Sequence, residues 1–324
     1  MDLILARADG EQVMVVQNPV FDCDCNGNNK DFSLSVPVSE WDGSIGYGMR
    51  LFVPNEEYGG VVGEITTDTQ LGVITVSGRT WRGILADKVI SPPAGEDYMI
   101  VSGDLQMVMA QLIEDRFSGA IVVAAPSQTV VIPEYQFKRY CTLLDGLNAM
   151  LKSVGYRLDL RYNEMQDRMV VSAVPVHDYS YEIELSQDYD LQFTYDDVRN
   201  KPNHLIIGGK GELHERQILH LYTDANGNIS TTQTFFGVDE IEQFWENTSS
   251  DELEKDGRQH FEEIKSGAKL SMDINSIPDT AKIGDLVGGR DYITGLSMKA
   301  PIGNVILQIN GDIITKNYTL EVDK

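Results

Sequence analysis

Through residues 1–90, apolar and polar side chains alternate in short segments, and Gly, Asn or Asp clusters interrupt them about every dozen residues. LILAR (3–7) and QVMVV (12–16) flank Asp9-Gly10, the pattern of a tight hairpin. FSLSVPV (32–38), RLFVP (50–54), VVGEITT (61–67) and GVITVSGR (72–79) follow. Strands this short, punctuated this regularly, predict a small sandwich or barrel. No helical period competes with them in this stretch.

The organisation changes at Ser91-Pro92-Pro93-Ala94-Gly95-Glu96, the clearest punctuation in the chain. Beyond it Ser102 is positioned to cap a helix through about Phe117, with Leu105, Val108, Met109 and Leu112 on one face. AIVVA (120–124) reads as a short buried strand. Thr142 caps a second helix, stopped by Gly155, and YRLDLRY (156–162) with RMVVSAV (168–174) forms a hairpin. Strands return in NHLIIGGKGE (203–212), QILHLYT (217–223) and NISTTQTFF (228–236), the last two joined by the Asp224–Gly227 turn. Ser249 and Glu252 suit a capping box for a helix over about 250–266, although Gly257 within it costs about 1 kcal/mol relative to Ala. Residues 282–297, 304–316 and 317–322 close the chain as a meander, with Asn310-Gly311 as a turn. The expected organisation is therefore mainly β with an α+β middle unit: 1–93 a barrel-like or sandwich-like β domain, 94–190 the α+β unit, and 191–324 a second barrel-like β domain with one helix.

Charge narrows the function classes. Of 324 residues, 50 are acidic and 26 basic, so the formal net charge is −24. Such a chain repels phosphate backbones and anionic lipid, which argues against specific nucleic-acid recognition and membrane docking. No apolar run approaches the ~18 residues of a membrane span, and the N-terminus MDLILARADGEQ lacks the basic start of a signal peptide. Cys23, Cys25 and Cys141 are too few for a framework of bridges and read as reduced thiols of a protein made in a cytoplasm.

The chemistry-bearing residues assemble into no recognised site. Asp22, Asp24 and Asn26, with Gly27, match the first half of a calcium loop, but the twelfth position holds Ser33 where a bidentate Glu is needed. A polar hairpin loop is the expectation there. His214-Glu215 followed by His220 is not a zinc motif, and six strand residues separate the two histidines by about 20 Å. Solvated or hydrogen-bonded roles are expected for His177, His204, His214, His220 and His260. Gly208-Gly209-Lys210-Gly211 lacks phosphate-loop spacing and reads as a bulge or turn. Cys141 starts a helix, where a thiolate is stabilised, but a packing role is expected. Acidic pairs such as Glu56-Glu57, Asp196-Asp197 and Glu262-Glu263 read as solvated faces. No catalytic, cofactor-binding or metal-binding residue is predicted.

Several passages carry a resemblance. The opening hairpin, Phe32-Ser33-Leu34, and Ile74-Thr75-Val76-Ser77-Gly78-Arg79 continuing into Gly83–Ile90 form the first set. Asn203-His204-Leu205-Ile206, Gly209-Lys210-Gly211-Glu212, His220-Leu221-Tyr222-Thr223-Asp224 and Ile283–Asp291 form the second. In order, these resemble the siphophage minor tail proteins of the tail-hub family, also described as baseplate-hub or tail-associated-lysin-like proteins. The resemblance implies a homotrimer of two barrel-like domains per subunit, beneath a sixfold tail ring and above a threefold tip. It implies a non-enzymatic virion protein of the tail tip, without cofactors. Its partners would be further copies of itself, the distal tail ring protein, the tape measure protein and tip or receptor-binding proteins. Larger relatives carry a lytic or fibre-like extension after the hub; nothing here extends beyond Lys324, so no lytic activity is expected. A receptor- or glycan-binding tail-tip module is the alternative, which requires exposed aromatics along a groove, and Trp41, Trp81 and Trp245 are scattered. A cell-wall hydrolase ranks below both.

Overall fold

The structure is a computed structural model that describes residues 1–324 except 28, 126–128, 182–183, 187–191, 199–200, 226, 249–251, 266, 274–276, 279, 291–296 and 321–324. It is β-rich, as the alternation predicts, and among the described residues its sheets remain open. Two compact units form: Met1–Gln192 joined by Met272–Glu321, and a second built on Phe193–Ser271.

The first unit opens with β1 (Ile4–Ala6), β2 (Gln12–Val15), β3 (Val20–Asp24), β4 (Asp31–Pro37), β5 (Arg50–Phe52), β6 (Gly59–Asp68) and β7 (Val73–Thr80). A short helix α1 (Trp81–Ala86) follows at once, where the sequence predicts none. Its cause is local: the Thr80 hydroxyl accepts the Gly83 N–H at 3.1 Å, an N-cap that closes one turn. Next come β8 (Ile100–Asp104), α2 (Leu105–Ile113), β9 (Ile121–Val123), β10 (Val131–Gln136), α3 (Leu143–Lys152), β11 (Tyr156–Asn163) and β12 (Arg168–Pro175). Thr142 caps α3 as predicted. The cap of α2 is Asp104, whose carboxylate accepts from Gln106 and Met107 N–H at 3.0 and 3.1 Å, while Ser102 lies in β8. The β11–β12 hairpin pairs from Tyr156↔Pro175 to Asn163↔Arg168, and β9 lies parallel beside β12.

The chain then adds β13 (Glu184–Ser186), β14 (Gln192–Val198), β15 (His204–Gly208), β16 (Ile218–Thr223), β17 (Ile229–Ser230), β18 (Glu242–Glu246), α4 (Leu253–Ile264) and β19 (Gly267–Asp273). It ends with β20 (Leu286–Arg290), β21 (Ser297–Asn310) and β22 (Ile313–Leu320). β21 and β22 turn over Gly311 at φ +60°, a left-handed position open to glycine. Of NISTTQTFF only Ile229–Ser230 is strand, because the Ser230 hydroxyl accepts the Thr232 N–H and draws the backbone into a turn. Ser249, the expected capping-box partner, lies outside the described residues; the helix itself is present as α4.

The compact units differ from the three segments read from sequence, for two physical reasons. β21 pairs antiparallel with β3, from Asn310↔Val20 to Ile306↔Asp24, so the last strands complete the first sheet in the order β13-β20-β21-β3-β4-β7-β6-β5-β1-β2. Second, one apolar core runs through both of the first two segments, packing Ile4, Phe52, Trp81 and Leu85 with Leu105, Met109, Leu147 and Tyr162. The Tyr162 ring stacks on Phe52 at 3.9 Å and tilts against Trp81 at 5.3 Å.

Charges are buried in this unit. Arg82 and Glu57, 2% and 5% exposed, pair at 2.6 Å, and Arg82 also donates to the Leu158 carbonyl. Arg157 bridges Asp159 at 2.9 Å and Asp285 at 2.7 Å, tying β11 to the chain entering β20. Asp285 accepts two further N–H groups, from His177 and Lys282. Glu56 pairs with Lys282, so Glu56-Glu57 is a pair of structural anchors and not the solvated face expected.

Removing one partner of a buried pair strands the other charge at a cost of about 3–5 kcal/mol. Arg82→Met is therefore expected to lose that much stability by urea unfolding, with most of it restored in Arg82→Met combined with Glu57→Met. Burial alone would raise the Asp159 pKa, but hydrogen bonds and charge from Arg157 and Arg161 outweigh it and hold the carboxyl below its ordinary value. Its contribution is then fully present above about pH 4 and is lost as pH falls through the folded value. Asp159→Asn is expected to lower stability at pH 7 and to flatten the decline below about pH 4, read from denaturation midpoints across pH.

Candidate functional site

The second unit is built on the four-stranded sheet β17-β16-β15-β18. Alternation along β15 sends Leu205 and Ile207 to one face, where they pack with Leu221 of β16 and Phe261 of α4. Gly257 makes the close approach of α4 possible. A Cβ there would stand 2.1 Å from Ile207 Cδ1, so the residue that weakens the helix in isolation is the one that seats it.

His204 starts the opposite alternation. Antiparallel pairing places it opposite Tyr222, parallel pairing opposite Glu242, and His220 lies diagonal to it on β16. The His204 ring stacks on Tyr222 at 4.3 Å and is 5% exposed. Its Nδ1 lies 2.7 Å from Glu240 Oε1 and 3.3 Å from Glu242 Oε1, and its Nε2 lies 2.8 Å from His220 Nδ1.

Asn203 brings the acidic segment to this position. Its side chain donates to the Asp239 carbonyl at 2.7 Å and accepts the Ile241 N–H at 2.9 Å, while its own N–H donates to the Ile241 carbonyl. A 3-10 turn at Gly237–Asp239 precedes, and Gln233 donates to Glu240 Oε1 at 2.8 Å. The result is a hydrogen-bonded row Glu240–His204–His220, closed by carboxylates at one end and exposed at His220. It can hold a proton or a cation. Among the described residues no Ser, Thr or Cys hydrogen-bonds to either imidazole, so the row does not form a nucleophile–base pair.

The other residues weighed from sequence fall elsewhere. Asp22 and Asp24 lie in and at the end of β3, where Asp22 accepts from Gln308 at 2.7 Å and Asp24 from Asn304 at 2.6 Å and from the Gly27 N–H. Asn26 donates to the Gly303 carbonyl. The hairpin-loop expectation holds for Asn26 and Gly27, in the connection from β3 to β4. It is corrected for Asp22 and Asp24, strand residues whose carboxylates bind the amides of β21. Cys23 and Cys25 are buried on the other face with sulfurs 3.9 Å apart, and the hydrogen bond between them together with burial pushes the Cys25 thiol well up. Burial and the Asp145 charge push the Cys141 thiol up, so its place before α3 does not activate it. His214 sits in a 3-10 turn and not in a strand with His220. Gly209 and Lys210 form the β15–β16 connection, with the Gln217 carbonyl accepting from Gly209 and the Lys210 carbonyl from Gln217. Trp81 is core. Trp41 is half-buried, and Trp245 stacks on His260 at 4.4 Å beside a shallow depression of about 280 Å³. Sequence reasoning missed Glu240 and Glu242: the parallel β15–β18 pairing brings them to a histidine 36 and 38 residues earlier.

No protein-family model matches the chain, and no curated protein does. Solved structures do. The 43 kDa tail protein of prophage MuSo2 from Shewanella oneidensis is similar with a TM-score of 0.57 and 14% identity, covering 99% of this chain and 98% of that one. The prophage tail protein gp18 from Listeria monocytogenes EGD-e gives 0.56 and 13%, covering 100% and 95%. A tail protein from Neisseria meningitidis MC58 gives 0.52 and 15%, covering 99% and 97%. The fold of this chain is thus the fold of phage and prophage tail proteins, as the resemblance implied.

Asn203→Ala leaves the Ile241 N–H and the Asp239 carbonyl without side-chain partners. An unfolding cost of about 1–3 kcal/mol is expected, with the His204 and His220 ring resonances shifted in NMR spectra of the folded variant.

Proposed function

We propose that this chain is a structural hub protein of a phage or prophage tail tip. The observation that carries the reading is the extent of the fold likeness: at least 99% of this chain aligns with at least 95% of each of three tail proteins. In this reading three copies form a ring that adapts the sixfold tail to a threefold tip and lines the channel for the tape measure protein and DNA. Its partners are its own copies, the distal tail ring protein, the tape measure protein and the tip or receptor-binding proteins.

Charge supports the same reading. A trimer carries three times the formal −24 of one chain, and a negative lumen lets DNA slide by repelling its phosphates. The role is non-enzymatic and needs no cofactor. Among the described residues the Glu240–His204–His220 row lacks a nucleophile, Trp81 is core, and Trp245 is stacked on His260.

Light scattering after size exclusion tests the assembly, with the chain alone and mixed with the distal tail ring protein. A mass near 108 kDa, three times the 36.1 kDa chain, is expected for the hub component. A monomer at every concentration in both samples would overturn the reading.

A further inference from the structure

Glu240 and Glu242 converge on a single ring nitrogen. Their carboxylate oxygens lie 2.7 and 3.3 Å from His204 Nδ1, and one oxygen of each carboxylate and this nitrogen all lie within 4.8 Å of one another. No lysine or arginine pairs with either carboxylate among the described residues. One N–H can satisfy only one of the two acids; a divalent cation between the three atoms satisfies both. Donor atoms bonded at about 2.1 Å to one ion stand roughly 3.0–3.4 Å apart. The two nitrogen–oxygen separations therefore need only small adjustments, while the carboxylate oxygens, within 4.8 Å of each other, would close to that range. We propose that His204, Glu240 and Glu242 form a three-ligand site for a zinc-class divalent cation.

The donor set selects the metal class. One imidazole and two carboxylates suit zinc and its borderline neighbours, whereas magnesium and calcium take oxygen ligands throughout. The charges balance, since two carboxylates and a neutral imidazole offset one divalent ion. Second partners are already in place. With the cation on Nδ1, the Nε2 of His204 carries the proton and donates it to His220 Nδ1 at 2.8 Å, the outer contact that orients a ligating histidine. Gln233 holds the Glu240 carboxylate, and Asn203 holds the backbone on both sides of it.

The second unit has use for such a tie. Among the described residues its apolar core holds four fully buried side chains, Leu205, Ile207, Leu221 and Phe261. A small core of this kind is commonly reinforced by a structural metal. Here the ion joins the first residue of β15 to the segment entering β18. Three protein ligands leave at least one position to water.

The test uses the full chain, free of any affinity tag, stripped with EDTA and dialysed. Titration calorimetry with zinc chloride is expected to show one equivalent bound per chain, undiminished by millimolar magnesium, with a matching rise in Tm. Glu242→Gln alters an exposed side chain and is expected to fold normally, yet to weaken zinc binding at least tenfold. Glu240→Gln is expected to do the same, while Glu254→Gln in α4 leaves binding unchanged. His220→Gln is expected to weaken binding about 10- to 100-fold. Nitrogen-15 spectra of the imidazoles are expected to show His204 as the Nε2–H tautomer once zinc is added. No zinc uptake, or uptake equal in the wild type, Glu240→Gln and Glu242→Gln, would overturn the proposal.

Discussion

The first unit depends on the pairing of β3 with β21. Asp22 and Gln308 face each other across it although 286 residues separate them, and Asn304 reaches Asp24 and Asn26 beside them. The entropy of closing so long a loop grows only with the logarithm of its length, so a ladder and a polar seam can hold it. On the other face Phe21, Cys23 and Leu307 are buried. The same strand therefore seals a core on one side and presents amide–carboxylate pairs on the other. Asp22-Cys23-Asp24-Cys25 is the period-two alternation of a strand, which is why its acids bind amides.

Ion pairs make the segments of this unit inseparable. Arg82 holds Glu57 and the backbone of β11, and Arg157 reaches from β11 to Asp285. These guanidinium groups sit where a hairpin, a helix and the C-terminal strands meet, and each is met by a carboxylate. Buried pairs of this kind add little net stability compared with apolar packing, but they make misplacement expensive. In a chain with nearly two acids for every base, such placement uses scarce cations inside and leaves the excess negative charge unmatched.

Much of the element order was legible. Alternation located β1, β2 and β4–β7, the Thr142 cap located α3, and the helix expected over about 250–266 is present as α4. What escaped was set by short-range competition. Helix α1 has six residues, too few to show a period, and depends on one threonine hydroxyl. For α2 the expected cap Ser102 is taken up by the strand pairing of β8 with β10, and Asp104, two residues later, caps instead. In the candidate site His204 and His220 lay in passages that carry the resemblance, but nothing in their spacing from Glu240 and Glu242 announced a cluster.

By itself the sequence determined the β-rich class, the turns and most helix faces, because these follow from side-chain period and from local caps that act within a few residues. It also determined the acid excess that disfavours nucleic acid and anionic membranes. Only the tertiary structure decided that the last strands belong with the first, that Glu57 is buried against Arg82, and that two glutamates meet His204. Each of those depends on sheet order and register between distant segments. Register carries no local signature, since shifting a strand pair leaves the alternation of each strand unchanged while changing every partner across it.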